Sequence, residues 1–109
     1  MTPVSQGQDL MIGMMVKLTV KAASGAAFES AFAAQAAAVR SNEPGNRLYE
    51  LFRSRARPGG YVLIEVYEND AALDAHRDSS HMAAHRPLTT AFIAAEPDIE
   101  AFDVIPHAV

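Results

Sequence analysis

Apolar residues alternate with other residues over positions 12–20. Every even position is apolar, whereas the odd positions include polar residues such as Lys17 and Thr19. A period of two is typical of a strand with one buried face. We therefore predict a strand here, whose buried side chains are Ile12, Met14, Val16, Leu18 and Val20.

The apolar residues that follow recur at three- and four-residue steps, which is the period of an amphipathic helix. Ser24 is a suitable N-cap, and Pro44 and Gly45 favour a turn after the helix. The pattern predicts a helix over residues 24–40. Its inward stripe comprises Phe28, Ala31, Phe32, Ala36 and Val39.

Two further strands are predicted over residues 47–53 and 61–67. The loop between them, SRARPGG, favours a turn, so the pair forms a hairpin. Both faces of the second strand are largely apolar, which predicts that both faces are covered. One face carries Val62, Ile64 and Val66, and the other carries Tyr61, Leu63, Glu65 and Tyr67.

The last third of the chain predicts a helix in two pieces and a final strand. Asn69 is a suitable N-cap for a helix through residues 71–76. Proline is tolerated best at the first position of a helix. Pro87 therefore predicts a break near His85 and a second short helix over residues 87–95. Residues 99–105 carry enough apolar positions for the last strand.

This order of elements predicts an α+β fold of the ferredoxin-like, split βαβ kind, with an antiparallel sheet and helices on one face. Residues 1–10 are polar and predict a flexible arm, and residues 11–109 predict one domain. We expect the uncovered face to be the one that carries Tyr61, Leu63, Glu65 and Tyr67. So much exposed apolar surface predicts a homodimer whose sheets pack face to face.

Composition and charge exclude several classes of function. The net charge is -4 and only nine residues are Lys or Arg, so we expect no nucleic-acid partner. The chain has no Cys, which excludes disulfides and thiolate chemistry. Neither a signal peptide nor an apolar run long enough to span a bilayer is present, so we expect a cytoplasmic protein without a membrane partner.

Histidines are the first candidates for chemistry, because an unperturbed imidazole titrates near neutral pH. His76 follows Leu73 by three residues and shares its inward face, so it is either a base in a pocket or a residue at a helix end. His81 and His85 are four residues apart, as in some metal pairs, but a third ligand is missing from the pattern and we expect no metal. We place His85, which is next to Arg86, in solvent.

Polar and aromatic strand residues complete the candidate site. Glu65 is a carboxylate amid apolar neighbours, so it either pairs with Lys17 or Arg53 or lies at a pocket with a raised pKa. Tyr49 and Tyr67 either bind an aromatic substrate or are simple core residues. Asn46, which follows Pro44 and Gly45, either orients a substrate or belongs to the turn.

An ordered series of motifs resembles the antibiotic biosynthesis monooxygenase family, including its quinol-monooxygenase-like members. The resemblance covers about residues 11–105. It rests on Glu43-Pro44-Gly45-Asn46, then Tyr49, then YVLIEVYEND with Glu65 and Tyr67, then Ala71-Ala72-Leu73 with His76, and His81 five residues later.

The resemblance implies a dimeric α+β barrel with a pocket between the sheet and the helices of each subunit. Relatives oxidise phenols or hydroquinones with molecular oxygen and need no metal or flavin. The resemblance therefore implies a cofactor-independent monooxygenase acting on a quinol or polycyclic phenol, with His76 and Glu65 as catalytic residues. The expected substrate-binding residues are Asn46, Tyr49, Tyr67 and His81.

Other functions remain open within the resemblance. One is an isomerase or epimerase of a small hydroxy-carbonyl compound of the autoinducer type, and another is a non-catalytic dimeric protein that binds an aromatic ligand. Many members have Trp where this chain has Tyr67, which shifts the expected substrate. The heme-degrading branch fits less well, because the first strand offers Lys17 and Thr19 where that branch has Asn.

Overall fold

Four strands form one antiparallel sheet in the order β2-β3-β1-β4, with three helices in the connections. This computed structural model describes residues 10–107, so all but the last residue of the predicted arm lies outside the described residues. The fold is ferredoxin-like, as predicted. Its elements are β1 (Ile12–Thr19), α1 (Gly25–Asn42), β2 (Asn46–Arg53), β3 (Gly60–Tyr67), α2 (Asp70–Arg77), α3 (Ser80–Thr90) and β4 (Asp98–Asp103).

The prediction of which sheet face the helices cover was wrong. In the β1–β3 register, Met14 lies opposite Glu65 and Val16 lies opposite Leu63, so the even positions of β1 and the odd positions of β3 share the covered face. Tyr67, predicted to be on the open face, is fully buried. Because β3 is apolar on both sides, its own pattern does not distinguish the faces, and its pairing with β1 decides.

The open face is nevertheless apolar. The register aligns Leu48 with Val66, Phe52 with Val62, and Phe102 with Gly13. Leu48, Phe52 and Phe102 are among the exposed large hydrophobic residues of the chain. Opposite this face, the main core lies between the sheet, α1 and α3 and comprises Leu18, Val20, Phe28, Phe32, Ala36, Val39, Tyr49, Tyr61, Leu63 and Met82.

The predicted break near His85 and helix over residues 87–95 were also wrong. The break comes earlier, at Asp78 and Ser79, and α3 continues through Pro87 to Thr90. The Ser79 side chain accepts a hydrogen bond from the Met82 N–H and so starts α3, while Pro87 lies in the second half of the helix. The helix therefore starts at the Ser79 cap and includes Pro87, although an interior proline removes one backbone hydrogen bond and crowds the carbonyl four residues earlier.

The remaining boundaries agree closely with the predictions. Asn69 caps α2 and accepts a hydrogen bond from the Ala72 N–H, as expected. The final strand ends at Asp103, two residues before the predicted end. None of the helices within residues 10–107 is long and apolar enough to cross a bilayer.

Candidate active site

A cavity of about 270 Å³ lies between the covered sheet face and the helices. Most of its wall is apolar, and its lining residues come from all four strands and all three helices. Its volume is slightly below the usual range of ligand pockets, roughly 300–1,000 Å³, so it suits a small ligand. Polar side chains from several elements also line the cavity, among them Gln35, Tyr49, Glu65, His76 and Thr89.

His76 lies on α2 and contacts this cavity with a nearly buried imidazole, 6% exposed. Its Nδ1 atom is 2.9 and 3.0 Å from the two carboxylate oxygens of Glu43. Its Nε2 atom is 3.7 Å from Glu65 Oε1, and Glu65 also lines the cavity. One ring nitrogen is thus engaged by the protein and the other is available to a ligand.

Glu65 lies on β3 and is also buried. Glu65 was predicted either to pair with Lys17 or Arg53 or to lie at a pocket, and the structure places it at the pocket. Lys17 is on the opposite face of the sheet, and Arg53 pairs with Glu29 at 2.9 Å. Burial raises the pKa of Glu65, and the Tyr67 hydrogen bond and the nearby His76 offset part of that rise. The carboxyl therefore holds its proton more readily than an exposed one.

Tyr49 contributes an oriented hydroxyl. Gln35 Nε2 donates to Tyr49 Oη at 2.8 Å, and the Thr89 hydroxyl donates to Gln35 Oε1 at 2.9 Å. Burial, followed by the charge of Glu65, raises the pKa of Tyr49, so the phenol stays protonated at neutral pH. Because its oxygen already accepts from Gln35, its own O–H is free to donate to a ligand in the cavity.

Tyr67 and Asn46 lie outside the cavity lining. Tyr67 follows Glu65 by two residues on the same face of β3 and donates a hydrogen bond of 2.6 Å to Glu65 Oε1. Asn46 Nδ2 donates to the Leu48 carbonyl at 3.0 Å, where the β2–β3 register shifts. Tyr67 thus holds the Glu65 side chain, and Asn46 holds the start of β2. The expected contacts of Tyr67 and Asn46 with a substrate stay predictions.

His81 faces a second, outer hollow of about 330 Å³, which is bordered by α2 and residues 42–45. Its Nε2 atom makes a close hydrogen bond to Glu43 Oε2. The predicted contact of His81 with substrate likewise stays a prediction. His85 is partly buried, and the expectation that it faces solvent was wrong. Residues 10–107 bring no set of three donors together that could hold a metal.

Glu43 is the polar residue that sequence reasoning missed. Its sequence context is the Glu43-Pro44-Gly45-Asn46 series, and a Glu before a Pro-Gly turn is ordinarily exposed to solvent. The structure instead buries its side chain to 7% exposure between His76 and His81. No local signal marks this, because both contacts cross more than thirty residues of sequence.

Glu43 reaches this position because the turn lies directly on α2. A Cβ atom added at Gly45 would be 2.6 Å from Ala72 Cβ, so the approach needs a residue without a side chain. Glu43 ends α1, with its N–H bonded to the Val39 carbonyl. The end of α1 and the start of β2 are thereby packed against the helix that carries His76.

Comparison with known proteins agrees with this architecture. A crystal structure of a protein assigned as an antibiotic biosynthesis monooxygenase, from Caulobacter crescentus, is 34% identical, with a TM-score of 0.86 over 91% of this chain and 93% of that chain. A variant of SnoaB, a cofactor-independent oxygenase from Streptomyces nogalater, is 24% identical, with a TM-score of 0.75 over 89% of this chain and 95% of that chain.

No curated protein matches the chain in sequence. The sequence profile described as antibiotic biosynthesis monooxygenase matches residues 11–88, which include Glu43, His76 and His81 and the pocket residues Tyr49 and Glu65. The chain belongs to the antibiotic biosynthesis monooxygenase family.

Proposed function

We propose that this protein is a cofactor-independent monooxygenase that oxidises a quinol or phenol with molecular oxygen. One observation carries the proposal: the free Nε2 of His76 and the free O–H of Tyr49 both adjoin a largely apolar cavity. Family membership supports oxygenase chemistry. SnoaB, named as a cofactor-independent oxygenase, has the same fold, so the fold is compatible with that reaction.

The reaction needs a base and a site that stabilises an anion. His76 Nε2 takes the proton of the substrate hydroxyl, and the resulting electron-rich anion reacts with oxygen. One oxygen atom enters the ring and the other leaves as water, and the substrate supplies all the electrons. For a phenol with a free ring position the products are a quinone and one water.

The other pocket residues have distinct roles in this proposal. The Tyr49 O–H donates to the substrate oxygen as negative charge develops there, which is electrostatic stabilisation in a site with little water. Glu65, protonated more readily than usual because it is buried, returns a proton to the departing oxygen. Tyr67 holds Glu65 in place through its 2.6 Å hydrogen bond.

We further propose that the protein acts as a homodimer through the open face of the sheet. Large apolar side chains on that face are exposed in the single chain, Phe52 to 54% of its surface. A second copy packed on the same face would remove them from water. A cytoplasmic location is part of the same proposal.

Oxygen uptake tests the proposed reaction. We expect metal-stripped protein to consume oxygen with at least one compound from a panel of hydroquinones and polycyclic phenols. His76→Ala should lower the rate by about 10²–10⁴-fold, the usual contribution of a general base. His107→Ala, which removes an exposed histidine outside the cavity lining, is the matched control and should retain the rate.

Two results would reject the monooxygenase. Turnover of a hydroxy-carbonyl compound without dissolved oxygen would favour the isomerase, which could use His76 and Glu65 for proton transfer. Saturable binding of aromatic compounds, unchanged in His76→Ala and without turnover, would favour the binding protein. Melting curves of both variants separate loss of chemistry from loss of fold.

A further inference from the structure

Glu43 is a buried carboxylate in contact with two imidazoles. Within residues 10–107 its ion-pair partners are His76 and His81, and no Lys or Arg reaches it. A buried carboxylate is costly unless hydrogen-bond donors surround it. Two imidazole N–H groups supply those donors, so the three side chains form one unit between the cavity and the outer hollow.

The contact dictates which nitrogen of His76 carries the proton. A carboxylate accepts hydrogen bonds and does not donate them, so the Nδ1 atom between its two oxygens must carry hydrogen. In neutral His76 the lone pair is then on Nε2, the atom on the cavity side near Glu65. The opposite tautomer would place a lone pair against the carboxylate and leave no base in the cavity.

We propose that Glu43 is the positioning residue of this site: it holds His76 in the Nδ1–H tautomer and links it to His81 in the outer hollow. The catalytic meaning of that tautomer rests on the proposed function. The tautomer itself and its link to His81 do not, so they can be tested in the absence of any substrate.

The link to His81 follows from the shared carboxylate. His81 Nε2 donates to Glu43 Oε2, the same oxygen that lies 2.9 Å from His76 Nδ1. The two imidazoles therefore donate to one oxygen, so the hydrogen bond from His81 helps to set the position of that oxygen relative to His76. The other groups around the cluster that carry or can carry charge are Tyr49 on β2, Glu65 and Tyr67 on β3, Arg77 on α2 and Arg86 on α3.

Nitrogen NMR of ¹⁵N-histidine-labelled protein tests the tautomer directly, because protonated and unprotonated ring nitrogens resonate in separate regions. In wild-type protein at a pH where His76 is neutral, we expect hydrogen on Nδ1 and none on Nε2. Glu43→Ala should convert His76 to a mixture of tautomers. Glu68→Gln, which removes a surface carboxylate that pairs with Arg47, should change nothing.

Wild-type His76 with its hydrogen on Nε2 would overturn the proposal, whatever the variants do. So would an unchanged Nδ1–H tautomer in Glu43→Ala. The first measurement needs no substitution, so the proposal stays testable even if removal of Glu43 prevents folding.

The link is tested by His81→Ala, which removes the second donor to Glu43, and by His81→Gln, whose amide can still donate. His81→Ala should change the chemical shift of His76 Nδ1, because the carboxylate oxygen that both imidazoles share loses one of its donors. In His81→Gln the shift should stay close to that of wild-type protein. An unchanged His76 signal in His81→Ala would contradict the link.

Oxygen uptake adds a functional reading once a substrate is known. Glu43→Ala should lower kcat by about 10²-fold or more with little change in KM, because a base in the wrong tautomer takes no proton. If NMR shows the Nδ1–H tautomer but no substrate is turned over, the proposed function fails and the positioning role stands. If turnover is found and survives Glu43→Ala, the positioning role fails and the function stands.

Discussion

Glu65 is a carboxyl group buried among aromatic and apolar side chains, and its surroundings govern its ionisation. Burial is the main cause of its raised pKa, and the charge of Glu43 adds to the rise. The folded protein therefore holds this proton to a higher pH than the unfolded chain does. Stability from this group is fully present below the ordinary pKa of 4.5 and is lost as pH rises through the raised value.

Glu65→Gln should remove this loss of stability at higher pH, because the amide side chain does not ionise. We expect the variant to melt above the wild-type protein at neutral pH, with a difference that grows as pH rises from about 4.5. Each unit by which the pKa is raised corresponds to ~1.4 kcal/mol, or ~6–11 °C for a domain of this size. Thermal melts followed by circular dichroism at several pH values measure it.

An exposed carboxylate provides the comparison for that experiment. Glu50→Gln removes a charge from a half-exposed side chain that pairs with Arg40 at 3.5 Å, and its melting should track the wild-type protein at every pH. An offset between Glu65→Gln and wild-type protein that is the same at all pH values would mean that packing, and not ionisation, causes it.

The inward direction of His76 was predictable from the sequence, whereas the buried position of Glu43 was not. The three-residue spacing from Leu73 predicted that His76 points to the sheet, and both side chains are buried. Glu43 had no such spacing, because its partners are on helices more than thirty residues away. A helix face follows from local periodicity, whereas a contact between a turn and a distant helix does not.

At the scale of elements, the site depends on the seating of residues 43–45 against α2. The contact is between Gly45 and Ala72, where an added Cβ would come within 2.6 Å of another Cβ. Any side chain at position 45 must therefore push the turn and the helix apart. Such a movement would separate Glu43 from His76 without touching either residue.

Gly45→Ala should consequently lower both the melting temperature and the oxygen uptake, and the Nδ1–H tautomer of His76 should become mixed. Overpacking of this kind typically costs about 1–3 kcal/mol. Ala72→Gly removes the atom that Gly45→Ala meets, so the double variant should regain the tautomer. It should not regain all the stability, because glycine in a helix costs up to about 1 kcal/mol.

The double variant also serves as the control for steric cause. If the tautomer is lost equally in Gly45→Ala and in the double variant, the turn conformation and not the contact with Ala72 is responsible. If Gly45→Ala leaves the tautomer and the melting temperature unchanged, the close approach is not what holds Glu43 in place.

At the scale of the whole molecule, one face of the sheet is covered by helices and the other is not. The open face carries exposed apolar side chains next to partly buried ones, among them Leu48, Phe52, Ile64 and Phe102. The cavity lies on the other side, so a partner on the open face would leave the site accessible. Because the proposed dimer buries the apolar open face, it should stabilise the sheet whose other face carries Tyr49 and Glu65.

Phe52→Asp should dissociate the proposed dimer. Wild-type protein should sediment at twice the 11.7 kDa chain mass, and the variant at the chain mass. Leu88→Asp is the matched control, because Leu88 is similarly exposed, 58% against 54%, but lies on α3. A wild-type monomer would contradict the dimer, and dissociation by Leu88→Asp alone would place the interface on the helices.

The sequence by itself determined the order of strands and helices, the ferredoxin-like class and the inward direction of His76. These follow from periodicity, caps and turns, which act over a few residues. Only the tertiary structure decided which face of β3 is covered, because that strand is apolar on both sides and its pairing with β1 sets the orientation. It also placed Glu43 between two histidines, since a buried carboxylate is satisfied by whichever donors the packing of the turn on α2 brings to it.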